Sequence, residues 1–118
     1  MLLDLLDQAR RAAAHAYAPY SNHPVGAAVL TTTGEVFTGC NVENAAYGET
    51  ICAERGAVMA MVAAGFRDIE AVAVSGPDGP CWPCGSCRQV LHEFGCRRVL
   101  VDDHEVDFAD LLPHAFRL

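Results

Sequence analysis

The chain has 118 residues, 52% of them hydrophobic, with 8 Lys+Arg against 15 Asp+Glu. That length predicts a single domain over residues 1–118, and the apolar content predicts a folded chain with one core. A formal net charge of −7 argues against a nucleic-acid partner, which needs a basic stripe, and against docking on an anionic membrane.

The N-terminal run Met1-Leu2-Leu3-Asp4-Leu5-Leu6-Asp7 has no basic segment ahead of its apolar residues, so the expectation is a cytoplasmic chain. Leu2–Ala16 places Leu2, Leu5, Leu6, Ala9, Ala12, Ala13 and Ala16 on one stripe and predicts a helix. Pro19 and Ser21-Asn22 end it. Val25–Leu30 and Glu35–Cys40 flank Thr31-Thr32-Thr33-Gly34 and predict a β-hairpin. Asn41–Glu49 reads as a loop, and Thr50 as the N-cap of a second helix running to Ala64. Ala71–Ser75 predicts a buried strand, and Gly76-Pro77-Asp78-Gly79-Pro80 a loop. A third helix is expected from Cys84 to Gly95, a strand over Arg98–Val101, and one or two helical turns over Phe108–Leu112. Asp102, Asp103, Glu105 and Asp107 read as a solvated acidic turn. Helices alternating with strands in this way predict a layered α/β domain with a mixed sheet.

Six cysteines (Cys40, Cys52, Cys81, Cys84, Cys87, Cys96) in a chain without a secretory signal point to metal or catalytic use rather than a disulfide framework. Two segments carry the chemistry: Cys52-Ala53-Glu54-Arg55 and Pro83-Cys84-Gly85-Ser86-Cys87. Both fall where a helix begins, and N–H groups there favour the thiolate that binds metal. A Cys-x-x-Cys pair with a third thiolate would make a Cys₃ zinc site whose fourth position is left for water. Glu54 is spaced to reach that water without binding metal, acting as general base and then general acid. Arg55 would donate to thiolate sulfur and offset negative charge; its plainer reading is a surface arginine. Cys81, Cys84 and Cys87 also match the start of an iron–sulfur motif, but Leu91 stands where the next cysteine would be. A closed four-cysteine zinc site leaves Glu54 without a task. A dithiol redox motif has no use for Cys52. Cys40 and Cys96 read as buried or half-buried thiols.

Zinc deaminases carry His-x-Glu followed by Pro-Cys-x-x-Cys, and this chain has that pattern with Cys52 in place of the histidine. Together with Pro19-Tyr20-Ser21, Val25-Gly26-Ala27-Ala28, Thr38-Gly39-Cys40-Asn41-Val42-Glu43-Asn44-Ala45, Cys87-Arg88-Gln89-Val90-Leu91 and Leu111-Leu112-Pro113-His114-Ala115-Phe116, it resembles the small cytidine deaminases along nearly its whole length. The resemblance implies a three-layer cytidine-deaminase-like α/β fold, its mixed five-stranded sheet opened by the N-terminal β-hairpin and packed between helices. It implies one Zn²⁺ per chain on Cys52, Cys84 and Cys87, with Glu54 as proton shuttle. Asn41 and Glu43 match a pair that bonds sugar hydroxyls, and the Ala53 N–H a donor to the pyrimidine 2-oxo group. Val25 and His23 match positions against the nucleoside. Ala45 and Tyr47 match loop positions reaching a neighbour's pocket, and Phe116 an aromatic that covers the base from another subunit. A homotetramer with shared sites follows from the same resemblance.

The implied reaction is hydrolytic deamination of cytidine and deoxycytidine to uridine and deoxyuridine, with zinc-activated water attacking C4 and Glu54 moving the protons. Deamination of another aminopyrimidine nucleoside, or nucleoside binding without turnover, stays open. An Asn-x-Glu pair at a strand end directs both side chains to one face, and a polar pair of that kind favours a nucleoside over a free base. Asn41 read alone is a residue capping its own loop. The chain departs from the family pattern at His23, usually Phe, and at Glu49, usually apolar.

Overall fold

Strands of alternating small and branched apolar residues build the centre of the molecule. The computed structural model describes residues 2–118, without the side chains of Leu2 and Leu3. Strands β1 (Gly26–Thr31), β2 (Val36–Cys40), β3 (Ile69–Ser75), β4 (Arg98–Val101) and β5 (His104–Asp107) form one sheet in the order β2-β1-β3-β4-β5. β1 runs antiparallel to β2 and β3, β3 parallel to β4, and β4 antiparallel to β5. The sheet is therefore mixed and five-stranded, with β1 and β2 as the expected hairpin.

Alternation along each strand sends side chains to opposite faces. Ala28, Leu30, Ala71 and Ala73 meet Leu5, Leu6 and Ala9 of helix α1 (Leu2–Ala13) on one face. Val29, Val72 and Val74 meet Ala57 and Met61 of α2 (Ala53–Ala63) and Leu91 of α3 (Gly85–Glu93) on the other. Three layers result. Alanines on the α1 face keep that layer thin, while Leu5 and Leu6 each contribute about 1.5–3 kcal/mol by burial.

Several boundaries differ from expectation, each for a local reason. α1 stops at Ala13 because the N–H groups of Ala14, His15 and Ala16 turn back to carbonyls three residues earlier, at 3.3, 3.0 and 3.1 Å, tightening the final turn. Met1, and the side chain of Leu2 at the head of the predicted stripe, lie outside the described residues. α2 is capped by Cys52, not Thr50. Ile51 and Val42 exchange both backbone hydrogen bonds at 3.0 Å, which keeps residue 51 extended. Thr50 instead closes the 3₁₀ turn Tyr47–Glu49 within the polar loop. The acidic segment is a turn only at Asp102-Asp103 and then becomes the edge strand β5. Its carboxylates are held across the ladder by Arg98, 2.5 Å from Glu105 and 2.7 Å from Asp107, and a charged edge of this kind resists further strand pairing.

Two features bring one end of the sheet to the site. Gly26 of β1 pairs with both Cys40 of β2 and Ser75 of β3, so the end of β2, the start of β1 and the end of β3 share one edge. Gly39 lets the head of α2 lie directly on β2, because an added Cβ would stand 2.4 Å from the Ala57 N and 2.5 Å from the Ala53 O. Ligand crevices in α/β sheets open at strand carboxyl ends of this kind. Among the described residues no helix is long and apolar enough to cross a membrane.

Candidate active site

Cys52 and Cys84 are the N-cap residues of α2 and α3, both in extended backbone with φ/ψ of −70°/153° and −70°/170°. Neither side chain caps its helix, so both thiols are left for other partners. Cys87 lies in the first turn of α3 and is buried. The Sγ atoms of Cys52, Cys84 and Cys87 all lie within 4.8 Å of one another, with no disulfide among them. Cys81 stands outside this cluster, which removes the iron–sulfur and four-cysteine alternatives.

The electrostatics differ at each thiol. Burial raises Cys84, but the N–H groups of Cys87 and Ser86 and the Cys87 thiol outweigh it and hold Cys84 below the ordinary thiol value. Burial pushes Cys52 and Cys87 up, and the negative charge of Glu54 adds to it. Three crowded sulfurs can ionise together only with a cation between them. Tetrahedral zinc at Zn–S of about 2.3 Å sets sulfurs about 3.8 Å apart, within the 4.8 Å that bounds this cluster. The donor set therefore fits one zinc ion per chain.

Glu54 occupies the first turn of α2, 5% exposed. Burial raises its carboxyl above the usual range, opposed by its own backbone N–H and by Arg55. A buried carboxyl with a raised pKa beside a metal centre is suited to carry protons near neutrality. Arg55 donates from Nη2 to the Thr50 carbonyl at 3.3 Å, while its Nε is buried without a partner. Its positive charge favours the ionised forms of both Cys52 and Glu54.

Cys52, Cys84 and Glu54 border a cleft of about 210 Å³ that also takes in Val25, Asn41 and Ala53. Thr50, Cys81 and Trp82 line it as well, and the sequence reading assigned none of them to the site. For Trp82 a signal existed: a large aromatic one residue from the Pro-Cys-x-x-Cys segment must lie near whatever that segment binds. A second hollow of about 360 Å³ shares Thr50 and is lined by Tyr20, Ser21, Glu43, Ala45 and Tyr47.

Asn41 and Glu43 both turn toward the Tyr20–Val25 segment. Asn41 Oδ1 accepts from the Val25 N–H at 2.8 Å, and its Nδ2 donates to the His23 carbonyl at 3.0 Å. Glu43 accepts from the N–H groups of Tyr20 and Ser21 at 3.0 and 3.2 Å and from the Ser21 hydroxyl at 2.5 Å. The Ser21 bonds hold its carboxyl below the usual range. His23 does not border the cleft. Its ring stands with Cys81 beside Gly76, where a Cβ would lie 2.9 Å from Cys81 Cβ and 3.5 Å from His23 Nε2. Phe116 lies apart from both hollows, 65% exposed, its carbonyl accepting from Gln89.

The same organisation recurs in known proteins. A profile for the cytidine and deoxycytidylate deaminase zinc-binding region matches residues 2–102. A cytidine deaminase of Mycobacterium tuberculosis is 49% identical over 118 residues, covering 97% of this chain and 88% of its own length. One from Sporosarcina psychrophila is 45% identical over 120 residues, covering 95% of this chain and 88% of its own. The crystal structure of cytidine deaminase from Burkholderia pseudomallei superposes with a TM-score of 0.91 at 46% identity, over 98% of this chain and 99% of that one. A matched zinc-binding region, relatives close to half identical along nearly the whole length, and a shared fold around one cluster of thiols together make this chain a member of the cytidine deaminase family.

Proposed function

We propose that this chain deaminates cytidine and deoxycytidine hydrolytically, giving uridine or deoxyuridine and ammonia. The observation that carries the reading is the meeting of three thiols at two helix N-termini with a buried carboxyl, Glu54, on the wall of the same cleft. Zinc held by Cys52, Cys84 and Cys87 supplies a positive centre that brings the pKa of water toward neutrality. Glu54 takes the proton of the water that adds at C4 and delivers it to N3 of the ring. It then takes the proton of the hydroxyl now on C4 and passes it to the amino group, so that the C4–N bond breaks, the 4-oxo group forms and ammonia leaves; one carboxyl serves both directions. Arg55 offsets the negative charge of the sulfurs, its free Nε being the available donor.

The same reading gives the recognition groups their tasks. The Ala53 N–H meets the 2-oxo group and Val25 the ring, while Asn41 and Glu43 take the sugar hydroxyls. Asn41 keeps one N–H after its bond to His23, and Glu43 keeps acceptor capacity on Oε2, Oε1 already accepting from two N–H groups. His23 packs against the bound nucleoside, the task its position in the family pattern implies.

The assembly we propose is a homotetramer of single-domain chains in the cytoplasm, with Ala45, Tyr47 and Phe116 completing neighbouring sites. What supports it is the exposure of two aromatic rings, Tyr47 at 91% and Phe116. An apolar groove of about 470 Å³ along α2 and α3, formed by Val58, Met59, Val62, Val90 and Phe94, offers a contact face. Light scattering on the purified protein reads the mass directly.

The test of function is ultraviolet absorbance of zinc-loaded protein mixed with cytidine. Loss of the cytosine band with uridine and ammonia formed is the expected result. An unchanged spectrum with one zinc per chain bound overturns cytidine as substrate.

A further inference from the structure

One large aromatic on the cleft wall has no task in the reaction as proposed. Trp82, the sole tryptophan of the chain, borders the cleft together with Asn41, Ala53 and Glu54 and remains 37% exposed. Its backbone is clamped. Pro83, next in the chain, is fully buried, and its carbonyl accepts from Arg88 Nε at 2.7 Å. The same guanidinium donates to the Leu111 carbonyl at 2.8 Å, tying the loop to the C-terminal segment. On the side of β5, the His104 imidazole packs against the indole, with ring centroids 5.6 Å apart and planes at 47°.

An indole held on one side and open on the other is a preorganised surface, whose ordering cost is met before any ligand arrives. Pyrimidines present a π-face, and stacking on an aromatic side chain is a recurrent way to hold a base. Cleft position, a fixed backbone and a part-exposed ring thus converge on one residue.

We infer that Trp82 is a substrate-positioning residue whose indole stacks on the pyrimidine ring and sets the preference for a planar aromatic base. This rests on the nucleoside reading of the cleft, and the experiment separates the two. Because no other tryptophan is present, indole emission reports on this position alone. Zinc-loaded wild-type protein is titrated with uridine, the product, and emission is followed. A saturable change is expected, with a midpoint equal to the constant for uridine inhibition of cytidine turnover. 5,6-Dihydrouridine keeps the sugar and both carbonyls but loses the planar π system, and it should inhibit more weakly than uridine.

Trp82→Ala should raise KM for cytidine roughly 5- to 150-fold, the range that loss of one base–aromatic stack implies. kcat should stay near wild type, the gap between uridine and dihydrouridine should close, and Trp82→Phe should restore most of KM. If uridine inhibits wild-type turnover without altering emission, the indole is not on the ring, and the inference fails while the function stands. If there is neither cytidine turnover nor uridine binding, the functional reading fails and takes this inference with it. Should Trp82→Ala not fold, the wild-type titration, the dihydrouridine comparison and Trp82→Phe still decide.

Discussion

At the thiol end of the cleft Cys52, Glu54, Cys84 and Cys87 all belong to the first turn or cap of a helix packed on the sheet, whereas at the proposed sugar end the groups hang from loops that brace one another. Cys52, Glu54 and Cys87 are placed by α2 and α3, whose apolar faces are buried against β1 and β3. Glu43 is placed by Tyr20 and Ser21, both exposed, and Tyr47 by a single 3₁₀ turn. Groups that must meet a reacting atom gain from rigid supports, and recognition groups tolerate looser ones. The difference predicts that substitutions at the first end abolish chemistry, while those at the second mainly weaken binding.

Cys84→Ala tests the first end most severely. Cys84 is an exposed cap residue with no role in the core, so the variant should fold, lose its zinc and lose all turnover. Metal analysis checks this, and full zinc occupancy in the variant would refute the ligand set. Glu54→Gln comes next. It should keep zinc and lose roughly 10²–10⁴-fold in kcat, the range for a positioned general acid–base. Turnover close to wild type in that variant would break the link between the buried carboxyl and the chemistry.

The contrast also explains what could be read from the sequence. The thiol end was legible because each of its segments is contiguous: a Cys-x-x-Cys pair and a Cys-x-Glu pair report spacing directly. β4 was legible for the same reason, Val99, Leu100 and Val101 forming one short apolar run after Arg98. Cys52 as a cap was not, since a cysteine has no cap oxygen and its place is fixed by the non-local pair Ile51 and Val42. β5 was hidden because its charges look solvated, and only the cross-strand Arg98 reveals them as paired. The second duty of Asn41 was hidden too. Its partners His23 and Val25 stand 18 and 16 residues upstream, a distance that no local pattern reports.

That second duty sharpens the comparison at the sugar end. Glu43→Ala should raise KM for cytidine with little change in kcat or stability, because its bonds are exposed. Asn41→Ala should raise KM and also destabilise the fold. It leaves the Val25 N–H and the His23 carbonyl without their part-buried partner, a loss of about 1–3 kcal/mol. Denaturant unfolding of the two variants reads the difference. Equal stability in both would mean that Asn41 serves the ligand alone.

The smallest effect expected is a displacement in pH. Ser21 bonds keep the Glu43 carboxyl ionised to a lower pH than an ordinary glutamate. A depressed folded pKa adds stability above the unfolded value, and that contribution is lost as pH falls through the folded value. If the ionised carboxylate is the form that takes a sugar hydroxyl, KM rises on acidification along the same titration. Ser21→Ala removes the hydroxyl donor and leaves both backbone N–H bonds, so the Glu43 titration should move up in pH and the rise in KM should begin at a higher pH than in the wild type. Carbon-detected NMR of the Glu43 carboxyl, read beside KM across the same pH series, follows both. A titration that moves while KM does not would separate Glu43 from the sugar and leave it as a brace for the Tyr20–Ser21 turn. Such a result would move the boundary between the two ends of the cleft inward, to Asn41.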